Sequence, residues 1–291
     1  MLWQDYKKLY ASALRAYSPK FKKELQAQVD AFCATQSYAS INGNGLKKTI
    51  TDLHATYGTK MAKMANKDVK RASKSFVAIE YKGTYDELWQ NVITMYLNVN
   101  GLDKLVNEIS DTTKEQIKRY ISRGLAEGQS MNEIIRNLQS AGITNYRAEL
   151  IARTETGKAA NYGSMIGAVS TGLVTYKEWI SAKDNRTRRI PRDQFDHLAM
   201  DGVSIPMDEK FQVPSKLKGF ELMDHPCDPK ASAGDVCNCR CTLGYEAQRD
   251  AAGQLQTYYS NPPSGNIKII WDLLQKALTN EVYASLVQAL G

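Results

Sequence analysis

The residues best equipped for chemistry crowd one stretch of this 291-residue chain: His197, His225, Cys227, Cys237, Cys239 and Cys241. Thiolate and imidazole are the ligands zinc prefers, and Cys227, Cys237, Cys239 and Cys241 suffice in number for a structural site. The spacing complicates this reading. If Cys237-Asn238-Cys239-Arg240-Cys241 is extended, same-face neighbours lie roughly 6.6 Å apart, so their sulfurs converge only where the strand bends. The plainer reading is an alternating strand, with the three cysteines packed inward as small apolar groups and Asn238 and Arg240 facing out. A disulfide from Cys227 to one of the others also stays open.

Asp184, His197 and Asp201 are the types that carry general acid/base work, provided they meet. Asp184-Asn185 and Asp201-Gly202 are equally good turn formers. The chain has no phosphate-binding glycine loop, no His-Glu-x-x-His and no Gly-x-Ser-x-Gly, so the common nucleotide, metalloprotease and esterase signatures are missing. No enzyme is expected. The alternative is a transferase or hydrolase using Asp184, His197 and Arg186.

These residues need elements to position them. Trp3, Tyr6, Leu9, Tyr10, Ala13, Leu14, Tyr17, Phe21, Leu25, Val29 and Phe32 recur at helical intervals, with Ser18-Pro19 marking a break or kink. Asn42-Gly43-Asn44-Gly45 is a turn before a basic helix over about 46–75. Residues 76–83 read as a loop before another helix from Tyr85. Thr112-x-x-Glu115 and Ser130-x-x-Glu133 match capping boxes that would start helices at 113–127 and 131–141. Gly142 ends the second, and a longer helix runs to Gly172. Val174 to Ile180 then alternates as a half-buried strand, opening a β-rich unit that closes near Tyr245. After a polar stretch, Ile267, Ile270, Trp271, Leu274, Leu278, Val282 and Leu286 form a last amphipathic helix.

Charge is uneven. Lys and Arg against Asp and Glu number 22 and 15 over residues 1–150 but 16 and 16 over 151–291. Residues 1–79 alone hold 14 basic and 5 acidic side chains, a surplus suited to DNA or an acidic protein surface. Lys47, Lys48, Lys60, Lys63, Lys67, Lys70, Arg71 and Lys74 are the candidates. A solvated basic helix face explains the same pattern.

Arg153-Thr154-Glu155-Thr156 on a helix, Trp179 on a strand, Asp184-x-Arg186-Thr187-Arg188 with His197 and Asp201-Gly202, and Asn238-Cys239-Arg240-Cys241 follow one another in a fixed order. Together they resemble the Mu F-like phage head-morphogenesis (minor capsid) family over roughly residues 112–246. His197 lies nine residues beyond Arg188, farther than that family's short gap, and Cys227 and Cys237 are additional to its cysteine pair. The resemblance implies a few-copy, non-enzymatic virion protein of the phage head, associated with the portal or major capsid protein and needed for assembly or DNA handling. Some such proteins carry toxin domains after this module. The roughly 45 residues that follow Tyr245 here are too few for one.

The expected architecture is α+β: a basic helical region over 1–111, the Mu F-like module over 112–246 (helices 112–172, β-rich 173–246), and an arm with one helix over 247–291. Glu149 and Arg153, four apart, should pair. Glu155 should meet Arg186 or Arg188, locking helix to β unit. No run approaches the roughly 18 apolar residues of a membrane helix, and the start lacks a signal-like pattern. Assembly in the host cytoplasm into the virion is expected, with portal, capsid or double-stranded DNA as partners, no membrane, and no cofactor unless the cysteines hold zinc.

Overall fold

The structure, a computed structural model, describes residues 3–73, 84–142 and 144–290, with side chains of the last helix as far as Thr279. Lys74 and the expected loop 76–83 lie outside the described residues. Helix α1 spans Trp3–Thr35, α2 Asn44–Ser73, α3 Tyr85–Val99, α4 Leu102–Ala126, α5 Met131–Ser140 and α6 Asn145–Val169. Then follow β1 Thr175–Ile180, β2 Ser204–Pro206, β3 Phe211–Ser215, β4 Gly219–Met223, a single turn α7 Ala233–Val236, β5 Thr242–Ala247, and α8 Gly265–Leu290. This is an α+β fold.

Helix α6 is the axis. From Thr154 to Val169 every residue is buried, the mark of a helix covered on all sides. Helix α2 lies along it at close range. A Cβ on Gly163 would stand 2.0 Å from the Gly58 carbonyl oxygen, and one on Gly167 2.1 Å from that of Ala62. Only hydrogen at those two positions lets the backbones approach so far. Helix α1 closes the other flank through Tyr6, Tyr10, Tyr17, Phe21 and Leu25, all part of the same core. The Tyr10 hydroxyl donates to the Arg153 carbonyl at 3.1 Å.

Two local expectations fail for physical reasons. Helix α1 runs unbroken through Pro19: proline removes one backbone donor, but the burial of Tyr17 and Phe21 on either side holds the helix together. Thr112 does not start a helix, because α4 passes through it and its hydroxyl donates to the Glu108 carbonyl at 2.8 Å, a bond made inside helices. Ser130 does form a full capping box with Glu133.

A three-stranded antiparallel sheet in the order β2-β1-β5 pairs Trp179 with Leu243 and Lys177 with Tyr245. A separate hairpin joins β3 to β4. Along β1 the buried side chains are Thr175, Lys177 and Trp179, the two-residue period of a sheet with one covered face. Ile267, Ile270 and Leu274 of α8 enter the main core, so the start of the C-terminal helix packs on its own chain. One core therefore runs through helical region, β unit and last helix.

Candidate functional site

The cysteine-rich block is not a strand up to Cys241. Cys237 closes the turn of α7, its amide donating to the Ala233 carbonyl at 3.0 Å, and Asn238 is left-handed with φ 59°. Asparagine tolerates that conformation better than most residues. Strand β5 begins only at Thr242. The reversal at Asn238 takes Cys237 out of the alternation and leaves it half-exposed, while Cys239 and Cys241 stay buried on either side of the partly exposed Arg240.

Those two sulfurs converge on His197, whose Nδ1 lies 3.5 Å from Cys239 Sγ and 3.6 Å from Cys241 Sγ. The expected four-cysteine group is not what the fold assembles. Among the described residues, the ligand types that gather are His197, Cys239 and Cys241, their donor atoms within 4.8 Å of one another. Cys227, also buried, contacts the Cys239 carbonyl through its sulfur at 3.6 Å. A Cβ on Gly157 of α6 would stand 2.7 Å from that sulfur, so Gly157 makes the room Cys227 occupies.

On its far side the imidazole is held by Asp235, through a hydrogen bond between Nε2 and Oδ1. Trp179 packs edge-on against the ring at 5.4 Å. Burial opposes the charged imidazole, but the sulfur of Cys239 and the Asp235 carboxylate overcome it and push His197 up to about 9. Contacts from the thiols of Cys227 and Cys241 hold Cys239 well below the usual thiol range. The nine-residue gap before His197 is taken up by a loop that closes on itself: the amides of His197 and Leu198 both donate to the Arg188 carbonyl at 3.0 Å.

The charged motif residues pair differently from expectation. Glu155 meets neither Arg186 nor Arg188. It faces α2 and accepts from Lys158 at 2.8 Å, with His54 Nε2 3.3 Å away. All three side chains are buried. Burial raises a lone carboxyl, but Lys158 and His54 outweigh it and draw Glu155 down to about 2. Arg153 pairs with Glu149 at 2.9 Å on the surface. Arg188 donates to the Cys237 carbonyl, Arg240 clamps Asp184 with both terminal nitrogens, and Arg186 is exposed.

Asp184, His197 and Asp201 do not form a proton-transfer group. Asp184 belongs to Arg240, His197 to Asp235, and Asp201 to Lys183 at 2.7 Å. Asp201 also caps the Ser181 amide at 3.0 Å, and Gly202 adopts φ 80°, as a turn requires. Two surface depressions, of about 560 and 230 Å³, are lined by Gln129, Glu133 and Arg136 in one case and by Met207, Asp208 and Tyr258 in the other. Neither is lined by those three residues.

Asn161 is a tie the motif reading missed. From the buried side of α6 its amide donates to the carbonyls of Gly157 and Pro226, each at 2.9 Å, and of Cys241 at 3.3 Å. Nothing local distinguishes it from an ordinary helical asparagine. Asp235 and His54 were equally hidden, whereas the three-residue step from Glu155 to Lys158 was a readable pair.

On α2, Lys60, Lys63, Lys67 and Arg71 recur along one exposed face, and Lys48 is exposed nearer the start. Lys47 pairs with Asp103 at 2.6 Å, Lys63 with Asp86 at 3.7 Å and Arg71 with Asp68 at 3.6 Å. Lys70 sits over the Tyr85 ring at 5.2 Å. The basic surplus is thus partly balanced by the chain's own acids.

Comparison with known proteins falls on this same region. The chain is 28% identical over 172 residues to the Minor head protein GP7 of Bacillus phage SPP1, covering 55% of this chain and 51% of that protein. It is 27% identical over 141 residues to the uncharacterized protein YqbB of Bacillus subtilis, covering 48% and 44%. It is 30% identical over 157 residues to a protein of Enterococcus faecalis named NAD(+)--arginine ADP-ribosyltransferase EFV, covering 52% of this chain and 30% of that one. The chain thus spans about half, or less, of the length of these relatives. No solved structure matches it. The family described as Phage Mu protein F like protein matches residues 115–244, the segment that contains Arg153, Glu155, Trp179, the Asp184–Arg240 clamp and the His197 cluster. Over that segment the chain is similar to the Phage Mu protein F like family.

Proposed function

We propose that this chain is a structural protein of a tailed-phage head, working in head assembly and in DNA packaging or ejection near the portal, with no catalytic step of its own. The observation that carries the reading is the family match over residues 115–244 together with similarity to a phage minor head protein over 55% of the chain. Its partners are the portal and the major capsid protein. The motif residues support it: Asp184, Arg188, His197, Arg240 and Glu155 bind one another, backbone or neighbouring elements, an arrangement that stiffens a scaffold. The transferase activity in the name of the Enterococcus relative belongs to that protein, 30% of whose length is aligned.

Labelling this chain in assembled particles and imaging them by electron cryo-microscopy tests the reading. Density for it inside the head at the portal vertex is expected. Its absence from purified heads and proheads would refute it.

A second role rests on the exposed row Lys60, Lys63, Lys67 and Arg71 of α2: nonspecific binding of double-stranded DNA. Binding through such contacts weakens steeply with salt, the slope falling by about 1 per phosphate contact removed. Lys60→Glu with Lys67→Glu should reduce both retention and slope. No retention of the unmodified chain at low salt removes this role.

A further inference from the structure

We infer that His197, Cys239 and Cys241 hold a structural zinc ion, with Cys227 supplying the fourth ligand. The inference concerns the fold's internal chemistry and stands apart from the head-assembly role.

The geometry is the first ground. With Zn–N near 2.05 Å and Zn–S near 2.3 Å, the nitrogen-to-sulfur edge of a tetrahedral site is about 3.6 Å. The two edges from His197 Nδ1 are 3.5 and 3.6 Å. Both thiols address the same ring nitrogen, and one imidazole lone pair accepts one good hydrogen bond, not two. A cation placed between the three atoms satisfies all of them at once.

The surroundings are the second ground. Asp235 holds His197 Nε2, so that a metal displacing the proton from Nδ1 would leave the remaining proton on Nε2, shared with the carboxylate. A carboxylate behind a metal-bound histidine is the usual supporting partner of such sites. Asp235 is completely buried, and its other oxygen, Oδ2, has no hydrogen-bond partner. Cys227 is the further buried thiol nearby, its sulfur against the Cys239 carbonyl in the space that Gly157 leaves. Cys237 is half-exposed and not among the gathered donors.

Such an ion would join three segments distant in sequence: the loop carrying His197, the loop at Cys227, and the turn before β5. A closed four-ligand site contributes directly to folding.

The test uses the full chain purified with reductant. Elemental analysis should find about one zinc per chain, and cobalt exchanged into the site should show the intense sulfur-to-metal absorption of tetrahedral thiolate ligation. Cys239→Ser combined with Cys241→Ser should abolish that band, while Cys237→Ser and Cys33→Ser leave it intact. Asp235→Asn should weaken zinc binding by roughly 10–100-fold. Cys227→Ser should lower the band by about a third, three thiolates becoming two; an unchanged band overturns the assignment of Cys227. Circular dichroism identifies any variant that has lost its fold, and the Asp235→Asn and Cys237→Ser chains keep the test decisive in that event. A folded, reduced wild-type chain that takes up neither zinc nor cobalt overturns the site, as does loss of the band in Cys237→Ser.

Discussion

Asp184, just after β1, and Arg240, just before β5, are joined by a two-pronged ion pair, one prong of which measures 2.7 Å. The Asp184 carboxylate also accepts from the amide of Arg186 at 3.0 Å. With the arginine clamp as the largest cause, its carboxyl is held well below the usual carboxylate range. The pair therefore fastens the loop that leads to His197 onto the turn that carries Cys239.

A bidentate pair with both partners partly exposed is worth about 1 kcal/mol, at the upper end of surface ion pairs. Asp184→Asn and Arg240→Gln should each lower stability by roughly that amount, and a double-mutant cycle should return a coupling energy of similar size. Denaturant unfolding measures it. A coupling indistinguishable from zero would show that the two residues are merely neighbours.

Glu155 and Lys158 form a buried pair, and removing one partner leaves a charge without compensation. Glu155→Gln should cost about 3–5 kcal/mol, whereas Glu155→Leu combined with Lys158→Met should recover most of it. Equal losses in the single and double variants would contradict the pairing.

The same pair sets an acid limit. Because Glu155 falls from 4.5 to about 2 on folding, the folded state favours its ionised form. That contribution is complete above about pH 4.5 and disappears as pH drops through about 2. Stability of the wild-type chain should fall between these values, and the Glu155→Leu, Lys158→Met chain should lose less over the same range. Parallel pH profiles would be the contrary result.

Gly163 and Gly167 are where α6 touches the backbone of α2. Gly167→Ala places a methyl 2.1 Å from the Ala62 carbonyl oxygen, so the helices must separate. Overpacking of this kind costs about 1–3 kcal/mol or more. Gly253→Ala is a poor control because its φ of 78° strains any side chain; Ser140→Ala, on an exposed helix end, serves better. Unfolding midpoints compare them, and a Gly167→Ala chain as stable as wild type would refute the close crossing.

Several elements and the resemblance to the Mu F-like family are legible from residue order alone. Apolar residues at three- and four-residue intervals specify α1 and α8, the Ser130 box starts α5, and alternation marks β1, because each of these signals is written within a few residues of where it acts. Motif residues are readable for the same reason: their types and order survive without knowledge of their partners.

Partner choice belonged to the tertiary structure. Glu155 turned to His54, 101 residues away, and to Lys158, because the face it occupies is covered by α2 and not by the β unit. The cysteines changed company because one left-handed residue, Asn238, ends the expected strand before it begins, and because His197 is returned to Arg188 by a loop. Thr112 and Pro19 show the converse: a local start or stop signal yields when the helix around it is buried. Local patterns decide what each segment can be, and long-range packing decides which buried charge or thiol meets which, since an unpartnered one is too costly to leave in the core.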